Sequence, residues 1–310
     1  GGEEGERTPR GSGRCRAAFA EAEAAFRRVL AMDPTDGRAY VGLGKLLVAR
    51  RRAAEAREVY REGAANTGGE SAYVWQSWGV LEAREGDSRA ARRYFDAATV
   101  ADPQHVGTWH SWGLMEERLG RPDRARDLYL RGLNACGGGG GLPGDFLGGG
   151  MAAFLGGEAG GGRQGAEGAG GGPGGRRVTP PTYLLQSLGL LASRNGRPLE
   201  ARAWFEKAVE LDDDQPGVWE SWGSMEARLG NREAAREYFQ NALQGSTSRY
   251  AWLSWGRWET RWGEHQKGRD LLRIAHRRYP ADTPIIQALA LAEAKLGRAP
   301  EARRLFRRAT

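Results

Sequence analysis

Apolar residues in this chain recur three and four positions apart. Ala91, Tyr94, Phe95 and Ala98 form one such set, with Arg92, Arg93 and Asp96 between them. That spacing puts the apolar side chains on one face of a helix and the charged ones on the other. The pattern also repeats. Tyr73-Val-Trp-Gln-Ser-Trp-Gly79 returns as Gly107-Thr-Trp-His-Ser-Trp-Gly113 and again as Gly217-Val-Trp-Glu-Ser-Trp-Gly223. Gly79 to Gly113, Gly189 to Gly223 and Gly263 to Gly297 each span 34 residues, while Gly223 to Gly256 spans 33 and Gly44 to Gly79 spans 35. Seven residues after each first glycine comes a second, at Gly86, Gly120, Gly196, Gly230, Gly263 and Gly297, with Arg51 in that place in the earliest unit.

Each unit predicts two amphipathic helices joined at a glycine suited to the left-handed position just past a helix end. Asp33-Pro34 and Asp102-Pro103 punctuate the units, because proline ends a helix and disfavours helical backbone at the residue before it. One hairpin cannot bury both its faces, so the units must stack on a continuous core. The predicted fold is all-α, a right-handed superhelical solenoid of helical hairpins. Seven complete units start near Thr35, Ser71, His105, Thr182, Gln215, Ser246 and Thr283, after a half unit that begins at Arg14.

Between Gly113 and Gly189 the distance is 76 residues, 42 more than one period. From Gly137 to Gly175, 21 of 39 residues are glycine, too little apolar surface to offset the entropy of ordering them. Residues 137–178 are therefore expected to form a flexible insertion between repeats at 14–136 and at 179–310. The charged Gly/Arg stretch 1–13 is expected to be disordered. The array is expected to continue beyond both ends, with any targeting segment upstream of Gly1.

Charge adds a direction. The chain has 46 basic and 39 acidic residues, a net charge of +7, and only four lysines (Lys45, Lys207, Lys267, Lys295). Arginine's planar fork suits phosphates and base edges better than an ammonium does, although GC-rich coding produces the same excess. No apolar run approaches the roughly 20 residues of a membrane span. Cys15 and Cys136 make neither a disulfide framework nor a zinc motif. His105, His110, His265 and His276 lack metal-ligand spacing. Gly42-Leu-Gly-Lys45 lacks the phosphate-loop spacing and falls inside a repeat helix. No nucleophile sits in a strand-to-helix turn. No catalytic residue, metal or cofactor is expected.

The combination of two core tryptophans before the first glycine, a glutamate three residues after it (Glu82, Glu116, Glu226, Glu259, Glu293), the second glycine and an Ala-Arg pair before aromatics resembles the HAT repeat. HAT means half-a-tetratricopeptide, and these proteins work in RNA metabolism. The stretches Gly37–Lys45 and Asp96–Asp102 look like the chloroplast HAT factors that mature and stabilise the photosystem II psbB and psbH transcripts. The resemblance implies single-stranded RNA as partner, a role in mRNA processing, 5′-end stabilisation and translation, and the chloroplast stroma as compartment. It also implies other proteins of an RNA-maturation complex as partners, and admits a homo-oligomer. Two alternatives share the fold: a tetratricopeptide-like protein-interaction scaffold, and a nuclear HAT factor of pre-mRNA or rRNA processing.

Three rows of residues recur at fixed places. Trp75 and Trp78, Trp109 and Trp112, Trp219 and Trp222, and Trp252 and Trp255 stand three apart on one helix face. Packing is their expected role, since Leu185 and Leu188, and Ile286 and Leu289, hold the same places; stacking on unpaired bases is the alternative. Gly79, Gly113 and Gly223 belong to the same structural set. Glu82 with Arg92, Glu116 with Arg126, Glu226 with Arg236, and Glu293 with Arg303 are expected salt bridges within a unit, and Ala192 then deprives Arg202 of its partner. The third row is cationic: Arg84, Arg118, Arg194, Arg228, Arg261 and Lys295, five residues after the first glycine. In tetratricopeptide-like solenoids this place faces the concave groove, beside Gln76, Ser77, His110, Ser111, Gln186 and Ser187. Such a row suits a single strand, with cations on phosphates and amides, imidazole and hydroxyls on base edges. The alternative is that each cation complements its helix dipole, worth about 0.3–1 kcal/mol.

Overall fold

A computed structural model describes residues 10–137, 181–244 and 248–309, and the side chains from residue 17 onward. The stretch 1–9 and nearly all of the insertion, 138–180, lie outside the described residues. Among those described, fifteen helices and no strand are found. A single helix, α1 (Arg10–Met32), leads, starting four residues ahead of the expected half unit. Seven pairs follow, in two compact units, Gly1–Arg176 and Arg177–Thr310. The first unit holds α2 (Gly37–Ala49) with α3 (Ala53–Asn66), α4 (Ala72–Glu85) with α5 (Ser88–Ala101), and α6 (Val106–Arg118) with α7 (Pro122–Cys136). The second holds α8 (Thr182–Arg194) with α9 (Pro198–Leu211), α10 (Pro216–Leu229) with α11 (Arg232–Asn241), α12 (Arg249–Arg261) with α13 (His265–Arg278), and α14 (Thr283–Lys295) with α15 (Ala299–Ala309).

The two glycines of each unit have different jobs. At Gly113, mid-helix, a Cβ would collide with the Tyr129 ring of the paired helix, so a hydrogen there lets the two helices close on each other. Gly86 ends its helix at φ 92°, and the next residue, Asp87, donates its backbone N–H to the Glu82 carbonyl at 3.0 Å. This is the helix-terminating hydrogen bond that a left-handed residue makes possible. Arg51 adopts φ 59° in the corresponding place, where an L side chain is strained.

The tryptophans pack, as their substitution by leucine and isoleucine predicts. Trp75 and Trp78 stack with centroids 5.9 Å apart, and Trp78 lies 4.1 Å from Tyr94 of the partner helix. Trp219, Trp222 and Tyr238 repeat the arrangement. In three of the four pairs the first indole donates to a carbonyl of the preceding loop, Trp75 to Gly69, Trp109 to Pro103 and Trp219 to Asp213, each at 2.8 Å. The second donates to the glutamate four residues on in three of the four, Trp78 to Glu82, Trp222 to Glu226 and Trp255 to Glu259. Trp258 and Trp262 are half-buried.

The Glu–Arg bridges exist, but between neighbouring units rather than within one. Glu82 is held by Arg57, Glu116 by Arg92, Glu226 by Arg202 and Glu259 by Arg236, each by two hydrogen bonds from Nε and Nη2 of 2.6–3.0 Å. The expected pairs Glu82–Arg92, Glu116–Arg126, Glu226–Arg236 and Glu293–Arg303 are therefore replaced by a ladder that steps one repeat along. The cause is geometric: the second helix of one repeat packs against the first helix of the next, and its outward arginine reaches forward. Ala192 leaves Arg202 nothing to lose, since Arg202 is bidentate on Glu226. A fork on a carboxylate fixes orientation as well as distance, so each rung sets the angle between adjacent repeats.

Candidate nucleic-acid interface

In both units successive first helices touch one another (α2 with α4, α4 with α6, α8 with α10, α10 with α12, α12 with α14), whereas successive second helices are held apart. Helices that crowd lie on the inside of a curve. The first helices therefore line the inner face of each unit.

The cation row sits on these inner helices. Arg84, Arg118, Arg194, Arg228, Arg261 and Lys295 are all exposed, each in the last turn of its first helix. Arg84 and Arg118 lie in the first unit and the other four in the second. Among the described residues Arg84, Arg118 and Lys295 make no ion pair, Arg228 reaches Ser193 Oγ one repeat back at 3.3 Å, and Arg261 lies 5.0 Å from the Trp258 ring centroid. These heads stay in water, so an anion would meet cations whose desolvation is modest.

The neutral residues of the row have another use. Gln76 donates to Gly107 O at 3.3 Å and to Ser111 Oγ at 2.9 Å. Two repeats later, Gln186 donates to Gly217 O and Ser221 Oγ, both at 2.8 Å. Both donors of each amide are thus spent stapling one first helix to the next, and the assignment of Gln76, Ser111 and Gln186 to base edges gives way to this role. The Glu220 carboxylate replaces the amide in the next repeat and accepts from Ser254 at 2.6 Å. Ser77 and Ser187 are buried, Ser187 donating to the Tyr183 carbonyl four residues back. His110 is half-buried beside the Tyr129 ring, and burial pushes its pKa below the ordinary imidazole value, so it is neutral near pH 7.

Two aromatic rings escape the periodic reading. Tyr73 is 52% exposed and Tyr250 is 59% exposed, at the opposite ends of the helices that carry Arg84 and Arg261, about 16 Å away at the helical rise. Tyr73 meets His105 edge-on and Arg249 lies over Tyr250. Tyr183 fills the same place in the fourth repeat and Gly107 and Gly217 fill it in two others, so no constant residue marks the position.

The comparisons with known proteins agree with the architecture. Models of the tetratricopeptide repeat match residues 17–76, 77–140 and 183–215, half of the chain between them. The chloroplastic psbB mRNA maturation factor Mbb1 of Chlamydomonas reinhardtii is 36% identical over 235 residues, which are 75% of this chain and 30% of that protein. Protein high chlorophyll fluorescent 107 of Arabidopsis thaliana is 46% identical over 74 residues, 24% of this chain and 11% of that one. The chain thus spans less than a third of the length of either relative. Among solved structures, the yeast Tom70 has a TM-score of 0.65 at 14% identity, covering 98% of this chain and 57% of that one, a likeness of fold.

Proposed function

The chain belongs to the tetratricopeptide-repeat family, and from that premise we propose that it is a non-catalytic reader of single-stranded RNA in chloroplast transcript maturation. The observation that carries the reading is the exposed cation row: one basic residue per repeat, on the inner face, in six repeats of seven. Evenly spaced cations match a polymer of evenly spaced phosphates, and a curved inner face admits a strand whose bases are splayed more readily than a rigid duplex. The relative named for psbB mRNA maturation points to a plastid transcript of photosystem II as the target and to the chloroplast as the compartment. In this reading the RNA backbone lies along Arg84 and Arg118 in one unit and along Arg194, Arg228, Arg261 and Lys295 in the other. The half-exposed rings of Tyr73 and Tyr250 serve as stacking platforms, worth about 1–3 kcal/mol per base where such stacks have been removed. The bound strand would be shielded from exonucleases and held open.

The test is equilibrium binding to three RNAs: a single-stranded psbB leader, a scrambled strand of equal length and the leader as a duplex. The reading expects the single-stranded leader to bind at least tenfold more tightly than the duplex, and more tightly than the scrambled strand. Equal, weak binding to all three would overturn it.

A further inference from the structure

The last repeat keeps the buried glutamate without the tryptophan that accompanies it in four others, and a vacancy is left. In those four the second tryptophan of the first helix (Trp78, Trp112, Trp222, Trp255) precedes the first glycine, and Trp222 packs between Phe205 of the preceding repeat and Tyr238 of its own. Trp78, Trp222 and Trp255 donate their indole N–H to the glutamate. In the last repeat Leu289 stands in the tryptophan's place and Leu305 in the tyrosine's. A cavity of about 620 Å³ opens there, floored by Leu289 and Leu305 and walled by Ile274, within the ~300–1,000 Å³ usual for ligand pockets.

Glu293 lines this cavity and is 1% exposed. Neither of its oxygens accepts a hydrogen bond among the described residues. The indole donor is gone with the tryptophan, and the rung of the ladder has slipped. Arg269, in the position of Arg92 and Arg236, is buried and turns to Asp270. Arg273, a turn further on, takes over at 3.4 Å, with Arg298 at 3.7 Å. These two cations neutralise the charge without satisfying the lone pairs, and a buried acceptor with no donor needs an explanation. At the mouth stand Arg277, Arg304 and Arg308 beside Arg273, against Asp270 and Glu301.

We propose that this cavity is a docking site for a tryptophan side chain carried by an acidic peptide segment of a partner protein. The ring would lie on Leu289 and Leu305, its N–H donating to Glu293, and the flanking carboxylates of the peptide would meet the arginine rim. A cationic ligand is disfavoured, because four arginines repel it and Glu293 is already charge-balanced. A phenylalanine fills the volume but has no donor, whereas the indole has one donor and no acceptor. The site is on the outer side, away from the inner cation row, and the proposal holds whether or not that row takes RNA.

The test is isothermal titration of the full chain with an acetylated pentapeptide amide, one tryptophan flanked by two aspartates on each side. Binding is expected, at least tenfold weaker when phenylalanine replaces the tryptophan. Leu289→Trp, which fills the cavity from within and restores the missing donor, is expected to raise the Tm and to abolish peptide binding. Arg277→Glu with Arg304→Glu, both on exposed side chains, is expected to weaken it at least tenfold while circular dichroism stays unchanged. No binding to the wild-type chain, equal binding to the phenylalanine peptide, or undiminished binding by Leu289→Trp would overturn the proposal. Free indole binding as tightly as the peptide would also overturn it, since the arginine rim would then have no part.

Discussion

At the scale of single residues, the fold depends on a few positions where chemistry leaves little choice. Arg51 occupies the left-handed place that glycine holds in the six later repeats, with the strain an L residue meets there, about 1–2 kcal/mol. Arg51→Gly is therefore expected to stabilise the chain by roughly 1 kcal/mol, after the added freedom of glycine in the unfolded chain is subtracted; urea melts check it, and a loss of stability would contradict the account. Glu259 is fully buried, and burial alone would raise its pKa. Hydrogen bonds from Arg236, Trp255 and Lys267 outweigh that and hold it at about 2. Glu116 and Glu226 are likewise lowered, burial being overcome by the bridges from Arg92 and Arg202. A carboxyl whose folded pKa lies below its unfolded one stabilises the fold above the unfolded value, and that stability is lost as pH falls through the folded value. For Glu259 the window runs from the usual 4.5 down to about 2 and is worth about 3 kcal/mol. Acid melts between those limits should show a steep loss in the wild type and a shallower one in Glu259→Gln.

At the scale of the element, the repeat is a hairpin whose identity is set inside it and whose placement is set by its neighbour. The hairpins were legible in the sequence because helical spacing and the two glycines act locally. Helix starts at Ala72, Val106, Thr182, Pro216 and Thr283 fall within two residues of the expected unit starts. The ladder was legible in its members and not in its pairing. A period of 34 places Arg92 equally well beside Glu82 and beside Glu116, and only the stacking of helices decides between them. The same holds for Gln76 and Gln186, whose recurrence says that the place matters, not that the next helix consumes the amide. A double-mutant cycle resolves the pairing: Arg92 with Glu116 is expected to couple by about 1–3 kcal/mol, and Arg92 with Glu82 within ~0.5 kcal/mol of zero. The single change Glu116→Ala takes the carboxylate from the half-buried Arg92, which water can still reach, and is expected to cost about 1.5–3 kcal/mol. Coupling of Arg92 to Glu82 instead would return the bridges to the interior of the unit.

At the scale of the whole molecule, the two faces of the repeats are chemically distinct. The amide donors of Gln76 and Gln186 staple inner helices to one another, and the cations of the row stand exposed. In four repeats the outer seam is closed by a tryptophan and a Glu–Arg rung, whereas in the last repeat Leu289 and Leu305 leave the cavity open. The candidate RNA face was thus half legible from sequence: its cations recur at a fixed interval, whereas Tyr73 and Tyr250 alternate with glycine and became visible only through their exposure. The central claim is that the inner row binds phosphates, and the salt dependence of RNA affinity tests it most directly. Six phosphate contacts give a log–log slope of about −4 for a single strand. The wild-type chain is predicted to show that slope, and a variant with Arg84, Arg118, Arg194, Arg228, Arg261 and Lys295 changed to Ala to show a slope near zero with an unchanged melting curve. A slope that is the same in both proteins would contradict the account.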